Sequence, residues 1–150
     1  MSGQLSRRRL MQGVMSFLAL SAIPMQLFAR AKVAFEATEK DIVYKELFGD
    51  LPIVESADIK MKIPDIAENG AVVPITISTD IEGVKSIFVI IDSNPNPLSA
   101  SFHMSPSSPA DISVRIKMGK SSLVRAMVKT SDKVYMTSKE VKVTIGGCGG

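Results

Sequence analysis

Residues 84–92, VKSIFVIID, are almost continuously apolar. A strand with water on one face alternates apolar and polar side chains, whereas a strand that is covered on both faces has no such restriction. We therefore predict that this stretch runs through the middle of the core. The segment NPNPLSA at 94–100 ends it, because each proline fixes its own φ angle and restricts the residue before it.

On both sides of this run, apolar and polar residues alternate with a period of two, which is typical of half-buried strands. The alternating segments are ADIKMKIP (57–64), AVVPITIST (71–79), DISVRIKM (111–118), SSLVRAMVKT (121–130) and VYMTSKEVKVTI (134–145). No helical segments lie between them to make the crossovers that parallel strands need. The pattern predicts a mainly β fold, an immunoglobulin-like antiparallel β-sandwich.

One helix is predicted ahead of the strands, within residues 33–50, where the segment closes with Gly49. The apolar residues at roughly helical spacing are Phe35, Ile42, Val43 and Leu47. This stripe predicts an amphipathic helix that packs at the side or end of the sandwich.

Residues 1–31 have the three parts of an export signal: an arginine cluster, an apolar run and Ala29-Arg30-Ala31 before the cleavage point. The apolar run of about 16 residues is shorter than the ~20 that a membrane span needs. The arginine pair after Ser6 predicts a cleaved signal of the twin-arginine type. We therefore expect a periplasmic protein without stable membrane association after cleavage.

The excess of basic residues belongs to this leader. Four of the 18 basic residues and none of the 15 acidic ones lie in residues 1–31. In the rest of the chain the two signs are mixed, and no basic stripe is available to follow a phosphate backbone. The charge pattern therefore excludes nucleic acid as a partner.

The chain closes with GGCGG, in which Cys148 is the only cysteine. Glycine leaves the backbone nearly unrestricted, so Gly146, Gly147, Gly149 and Gly150 predict a flexible arm around the thiol. A single cysteine cannot form an internal disulfide, so in an oxidising compartment the thiol is free, paired between chains or carrying a group. Because a thiolate is both a nucleophile and a leaving group at sulfur, such an arm can carry sulfur covalently.

The remaining sequence offers little catalytic chemistry. His103 is the only histidine, and a lone histidine beside a strand is more often structural than catalytic. One histidine and one cysteine fall short of the ligands of a zinc or copper site, and no phosphate loop or dinucleotide fingerprint is present. We therefore predict a non-catalytic protein without a metal or cofactor. The alternative is a structural or adhesion-type β-sandwich that uses Cys148 for an interchain disulfide.

Several segments together resemble one family. They are the twin-arginine-type leader, IAENGAVVPITIS (66–78), NPNP (94–97), ASFHMSP (100–106) and YMTSKEVKVTIGGCGG (135–150). In this combination the chain resembles the SoxY family, the sulfur-carrier subunits of the bacterial Sox thiosulfate-oxidising system. The resemblance implies a cleaved signal (1–31), a helix plus β-sandwich carrier domain (32–145) and a flexible carrier arm (146–150). It also implies that Cys148 is the site of covalent sulfur attachment.

The resemblance further implies partners. They are a SoxZ-like subunit in a heterodimer, a c-type haem enzyme, a thiosulfohydrolase, and a sulfane dehydrogenase or another sulfur pathway in its place. A sandwich of this size leaves edge strands, which natural proteins cover or blunt. The sequence does not say which edge the partner subunit covers. The last two strands, which alternate most extensively, are the candidates.

Overall fold

The computed structural model describes residues 32–144; the predicted signal peptide (1–31) and the predicted carrier arm (146–150) lie outside this part of the chain. Residues 32–36 are helical and are followed by helix α1, Lys40–Phe48. The strands are β1 Ile53–Glu55, β2 Ile59–Lys62, β3 Ile66–Ala67, β4 Val73–Thr79, β5 Ser86–Ile91, β6 Leu98–His103, β7 Asp111–Ile116, β8 Ser122–Lys129 and β9 Val134–Val143.

The strands form two sheets. The large sheet has the order β1-β9-β8-β5-β6, with β3 also paired to β9, and the small sheet has the order β2-β4-β7. This arrangement confirms the immunoglobulin-like β-sandwich. All pairings are antiparallel except those of β1 and β3, which run parallel to β9 over three and two residues. These short parallel pairings arise where the chain passes between the sheets, and no local pattern in the sequence announces them.

Strand β5 occupies the position that its apolar run predicts. All six of its residues are buried, because both faces of the large sheet are covered at this point. Ile87, Val89 and Ile91 face the small sheet and join its inward residues in the main core. Phe88 and Ile90 face the other way, into a second core beneath the helical segments.

Helix α1 covers the outer face of the large sheet, but the predicted apolar stripe is wrong in part. Val43 and Phe48 are the buried residues of the helix, and the Phe48 ring meets the Phe88 ring edge-on at 5.5 Å. Ile42 and Phe35 are exposed to 41% and 40%. The reason is that residues 37–39 interrupt the helix, so the spacing counted from Phe35 does not continue into α1.

The position of the last two strands corrects the prediction about sheet edges. Strand β8 lies between β5 and β9 in the interior of the large sheet, and β9 is covered in part by β1 and β3. The strong alternation of β8 therefore reflects burial of one face and not an open edge. On the side away from β8, β9 is paired only at its two ends, by β1 and by β3. Among the described residues, the end strands are β1 and β6 in the large sheet and β2 and β7 in the small sheet.

An ion cluster fastens the start of α1 to the outer face of the large sheet. Arg125 donates two hydrogen bonds of 2.9 Å to the Asp92 carboxylate, from Nε and Nη2, and Lys40 Nζ approaches the same group at 3.2 Å. Burial raises the pKa of Asp92, but the hydrogen bonds from Arg125 and Lys40 outweigh this effect and hold it below its ordinary value. The cluster therefore makes the free energy of unfolding depend on pH.

Asp92→Asn is expected to lower the free energy of unfolding by about 1–2 kcal/mol at neutral pH, because Arg125 and Lys40 lose a charged acceptor. A carboxylate with a lowered pKa stabilises the fold above the pKa of the unfolded chain, and this contribution is lost as pH falls through the folded value. The difference between wild type and variant should therefore be constant well above pH 4 and shrink as pH falls below about 4, the pKa of aspartate in the unfolded chain, in urea titrations. Asp80→Asn, at an exposed pair with Lys60, is the control and should change little. A difference that stays constant with pH would contradict the argument.

Candidate functional site

The predicted site residues Cys148, Gly146, Gly147, Gly149 and Gly150 lie outside the described residues. The structure describes the end of strand β9, from which these residues continue along the chain. Thr144 is the last described residue, and Cys148 follows it by four positions. The geometry of the site is therefore the geometry of the end of β9.

The end of β9 is held on both of its sides. On one side Val143 N donates to Ser121 Oγ at 2.9 Å, next to the β8 pairing. On the other side β3 runs parallel to β9, and Thr144 N donates to Ala67 O at 3.1 Å. Hydrogen bonding to the sandwich thus continues to the last described residue, so the base of the C-terminal segment is fixed to the fold.

A salt bridge supports the same base from the side of β3. Lys139 Nζ lies 2.8 Å from Asp65 Oδ1 and donates to Ile63 O at 3.0 Å. The main-chain oxygen of Asp65 in turn accepts a hydrogen bond of 2.9 Å from Lys142 N. The turn between β2 and β3 is therefore tied to β9 through both main-chain and side-chain groups.

Gly70 brings the loop after β3 close to the end of β9. Its carbonyl oxygen accepts a hydrogen bond of 2.7 Å from Met118 N. A Cβ atom at this position would overlap the main-chain oxygen of Met118 and lie 2.9 Å from Val143 Cγ1. Only glycine allows this approach, because the nearest obstacle is main chain and cannot rotate away. No local pattern in the sequence indicates this contact.

Gly70→Ala is expected to lower the free energy of unfolding by about 1–3 kcal/mol, the usual cost of forcing extra volume into a packed site. Gly119→Ala is the matched control, because the nearest atom to a Cβ there is Asn94 Oδ1 at 4.0 Å. Denaturant titration of the two variants checks this. Equal losses of stability at the two positions would contradict the account of Gly70.

His103 is not near the end of β9. It lies at the end of β6, and the register from Ser86 through Lys129 to Val134 places it level with the start of β9. The length of β9 separates the two, about 30 Å at 3.3 Å per residue. The His103 ring nitrogen Nδ1 lies 3.0 Å from Oγ of the buried Ser86, a contact that agrees with a structural histidine.

Residues 32–144 contain neither a cluster of potential metal ligands nor a helix that could cross a membrane. No group of three or more histidine, cysteine, aspartate or glutamate side chains is placed to hold a metal ion. No helix in this part of the chain is long and apolar enough to cross a membrane.

The protein is a small immunoglobulin-like sandwich. Its sequence places the thiol of Cys148 four residues beyond Thr144, the last described residue that is hydrogen-bonded to the fold. The family described as sulfur oxidation protein SoxY matches residues 44–148, which is most of the chain and reaches Cys148. The chain belongs to the SoxY family. It is thus related to the sulfur carriers of the Sox system.

Comparison with solved structures gives a similar result. The sulfur carrier protein SoxY from Chlorobium limicola f thiosulfatophilum is 41% identical, with a TM-score of 0.64. The alignment covers 70% of this chain and 96% of that one. No curated protein sequence matches the chain.

Proposed function

We propose that this protein is a periplasmic carrier that holds sulfur intermediates covalently on Cys148 during thiosulfate oxidation and presents them to Sox enzymes. One observation carries the proposal: the SoxY family match extends to Cys148, which follows the hydrogen-bonded end of β9 by four residues. At most about 14 Å of chain separates Thr144 from Cys148, at up to 3.6 Å per residue. The glycines at 146, 147, 149 and 150 present no side chains that would hinder entry of the thiol into a narrow active site.

The chemistry of a thiol suffices for this role. The Cys148 thiolate and thiosulfate join through the sulfane sulfur, and the two electrons released pass to a c-type haem enzyme. Water then cleaves the bond between the sulfane sulfur and the sulfone group in a thiosulfohydrolase, which releases sulfate and two protons and leaves a persulfide anion on the cysteine. In one route a sulfane dehydrogenase oxidises the outer persulfide sulfur to a sulfonate, with three waters as the source of oxygen and six electrons passed to its acceptor, and a further water releases the sulfonate as sulfate. In the other route the outer sulfur is transferred to a nucleophile of another sulfur pathway. A thiolate is a good leaving group at sulfur, so the carrier is regenerated.

The carrier itself catalyses none of these steps in this proposal. A catalytic cysteine requires a rigidly placed base beside it. His103, the only histidine of the chain, is about 30 Å from the base of the C-terminal segment along the strand direction. We propose that catalytic groups and cofactors come from the partner enzymes. The carrier would work as a heterodimer with a SoxZ-like subunit, exported by the twin-arginine-type signal in residues 1–31.

Intact mass of the protein purified from the periplasmic fraction of thiosulfate-grown cells tests the proposal. The expected spectrum contains adducts of sulfane sulfur or thiosulfate on Cys148 that disappear on reduction, and a chain that begins near residue 32. A bare thiol, or a disulfide-linked dimer without sulfur adducts, would instead support the structural role with an interchain disulfide. Recovery of the uncleaved chain from the cytoplasm would contradict the assigned compartment.

A further inference from the structure

Asn69 precedes Gly70 in the loop between β3 and β4, and this pair of residues can undergo a covalent reaction. The peptide nitrogen that follows an asparagine can attack the side-chain amide carbon, and a glycine in that place has no side chain to hinder the attack. Asparagine is accordingly among the thermolabile residues of proteins. The other two asparagines of the chain, Asn94 and Asn96, are each followed by proline, which has no N–H to lose. The sequence therefore restricts the reaction to Asn69.

The three asparagine side chains also differ in their hydrogen bonds. Asn94 Nδ2 donates to Lys117 O at 2.7 Å, and Asn96 Nδ2 donates to Glu36 O at 3.2 Å. Asn69 is exposed, and within the described part of the chain its Nδ2 group has no acceptor. Ammonia can therefore leave Asn69 without the loss of a described hydrogen bond.

The turn at Asn69 activates its amide carbon. Ala71 N donates a hydrogen bond of 3.0 Å to Asn69 Oδ1. This bond spans Gly70, so the side-chain amide lies beside the Gly70 main chain. A donor on the amide oxygen stabilises the negative charge that this oxygen gains when a nucleophile adds to the carbon. Among residues 32–144 no acceptor binds Gly70 N–H, so its proton is open to solvent base.

We propose that Asn69 is a site of spontaneous deamidation and that the reaction loosens the end of β9. Gly70 N loses its proton to hydroxide and bonds to the Asn69 amide carbon, which expels the side-chain nitrogen as ammonia and leaves a succinimide ring. Water then opens the ring at either carbonyl group and gives aspartate or isoaspartate at this position. No oxidant or cofactor takes part. The inference is independent of the proposed function, because its chemistry needs only residues 69–71 and water.

Isoaspartate affects the end of β9 because it adds a methylene group to the main chain before Gly70. The loop is fixed on both sides of this point: Ala67 O accepts a hydrogen bond of 3.1 Å from Thr144 N, and Gly70 O accepts one of 2.7 Å from Met118 N. Gly70 is also packed too closely against Met118 to shift toward it. One of the two hydrogen bonds must therefore lengthen, and we expect the bond to Thr144 to weaken.

Incubation of the mature protein in warm, mildly alkaline buffer tests the reaction. Peptide mapping should find the change in mass from NH₂ to OH at Asn69 alone, as a mixture of aspartate and isoaspartate, with Asn94 and Asn96 unchanged. The rate should rise in proportion to the hydroxide concentration, because hydroxide removes the Gly70 proton. Aspartate without isoaspartate would indicate direct hydrolysis and overturn the succinimide route. Reaction in urea-unfolded protein but not in folded protein would show that the fold protects Asn69, and would overturn the site.

Two variants separate the effects of the reaction on β9. Asn69→Gln is the matched control, because the longer side chain keeps an amide but does not close the same ring. Asn69→Asp has the new charge without the extra methylene group. Melting curves measured before incubation check that both variants fold.

Hydrogen exchange of the Thr144 amide is then compared before and after incubation. Wild type should lose protection at Thr144 and melt at a lower temperature after incubation, whereas Asn69→Gln should change in neither respect. Asn69→Asp should keep the protection of unreacted wild type. Deamidated wild type with unchanged exchange at Thr144 would overturn the loosening of β9. Loss of protection in Asn69→Asp as well would trace the effect to charge and overturn the argument from the main chain.

Discussion

Cys148→Ser is expected to abolish sulfur loading completely, because a serine hydroxyl cannot form the sulfur–sulfur bond that holds the cargo. The variant should fold like wild type. Cys148 lies beyond Thr144, where the described hydrogen bonding of β9 to the sandwich ends. Mass spectrometry after incubation with thiosulfate and the haem enzyme measures the loading, and thermal unfolding measures the fold.

The control for this experiment keeps the thiol and changes a hydroxyl elsewhere. Ser131→Ala alters an exposed residue in the turn between β8 and β9, remote from the strand end. It should load sulfur as wild type does. Loading of Cys148→Ser to the wild-type extent would refute the carrier role of this cysteine, since no other thiol exists in the chain.

Phe88→Ala is expected to have the largest effect on stability, a loss of about 3–5 kcal/mol in the free energy of unfolding. Phe88 is only 4% exposed and forms, with Phe48, the aromatic contact between the large sheet and α1. The truncation leaves a cavity that the paired strands around β5 cannot close. Such a loss is a large part of the stability of a domain of this size.

Phe35→Ala is the matched control, since the same atoms are removed from a ring that is 40% exposed. Its effect should stay below about 1 kcal/mol, as for most exposed positions. Urea titrations of both variants give the comparison. Similar losses at the two positions would show that the second core under α1 contributes little to stability.

The fold was predictable where burial leaves a pattern in neighbouring residues. The unbroken apolar run of β5 predicted a strand covered on both faces, and the alternation of β4, β7 and β8 predicted strands with one buried face. The helix was predicted near its position, but the choice of buried face failed at Ile42. That face depends on the break at 37–39 and on where Phe88 lies, which are tertiary facts.

Part of the candidate site could be predicted from the sequence and part could not. The thiol and its glycines are visible in the sequence, since residue type alone indicates their chemistry. The base of the segment was not visible, because it depends on contacts between distant positions such as Thr144 with Ala67 and Gly70 with Met118. The alternation that made β8 and β9 candidates for an open edge is equally strong in an interior strand, so an edge cannot be recognised without the pairing.

The way in which β9 is held has a mechanical consequence. A force that pulled on the C-terminal residues in line with β9 would act on the strand through Thr144. Strand β9 is flanked by β8 on one side and by β1 and β3 on the other, and its hydrogen bonds lie across the line of that force. Bonds loaded in shear share the force and must break together, whereas bonds loaded at one end open one after another. The pairing of β9 on both sides should therefore resist a pulling force applied at Thr144.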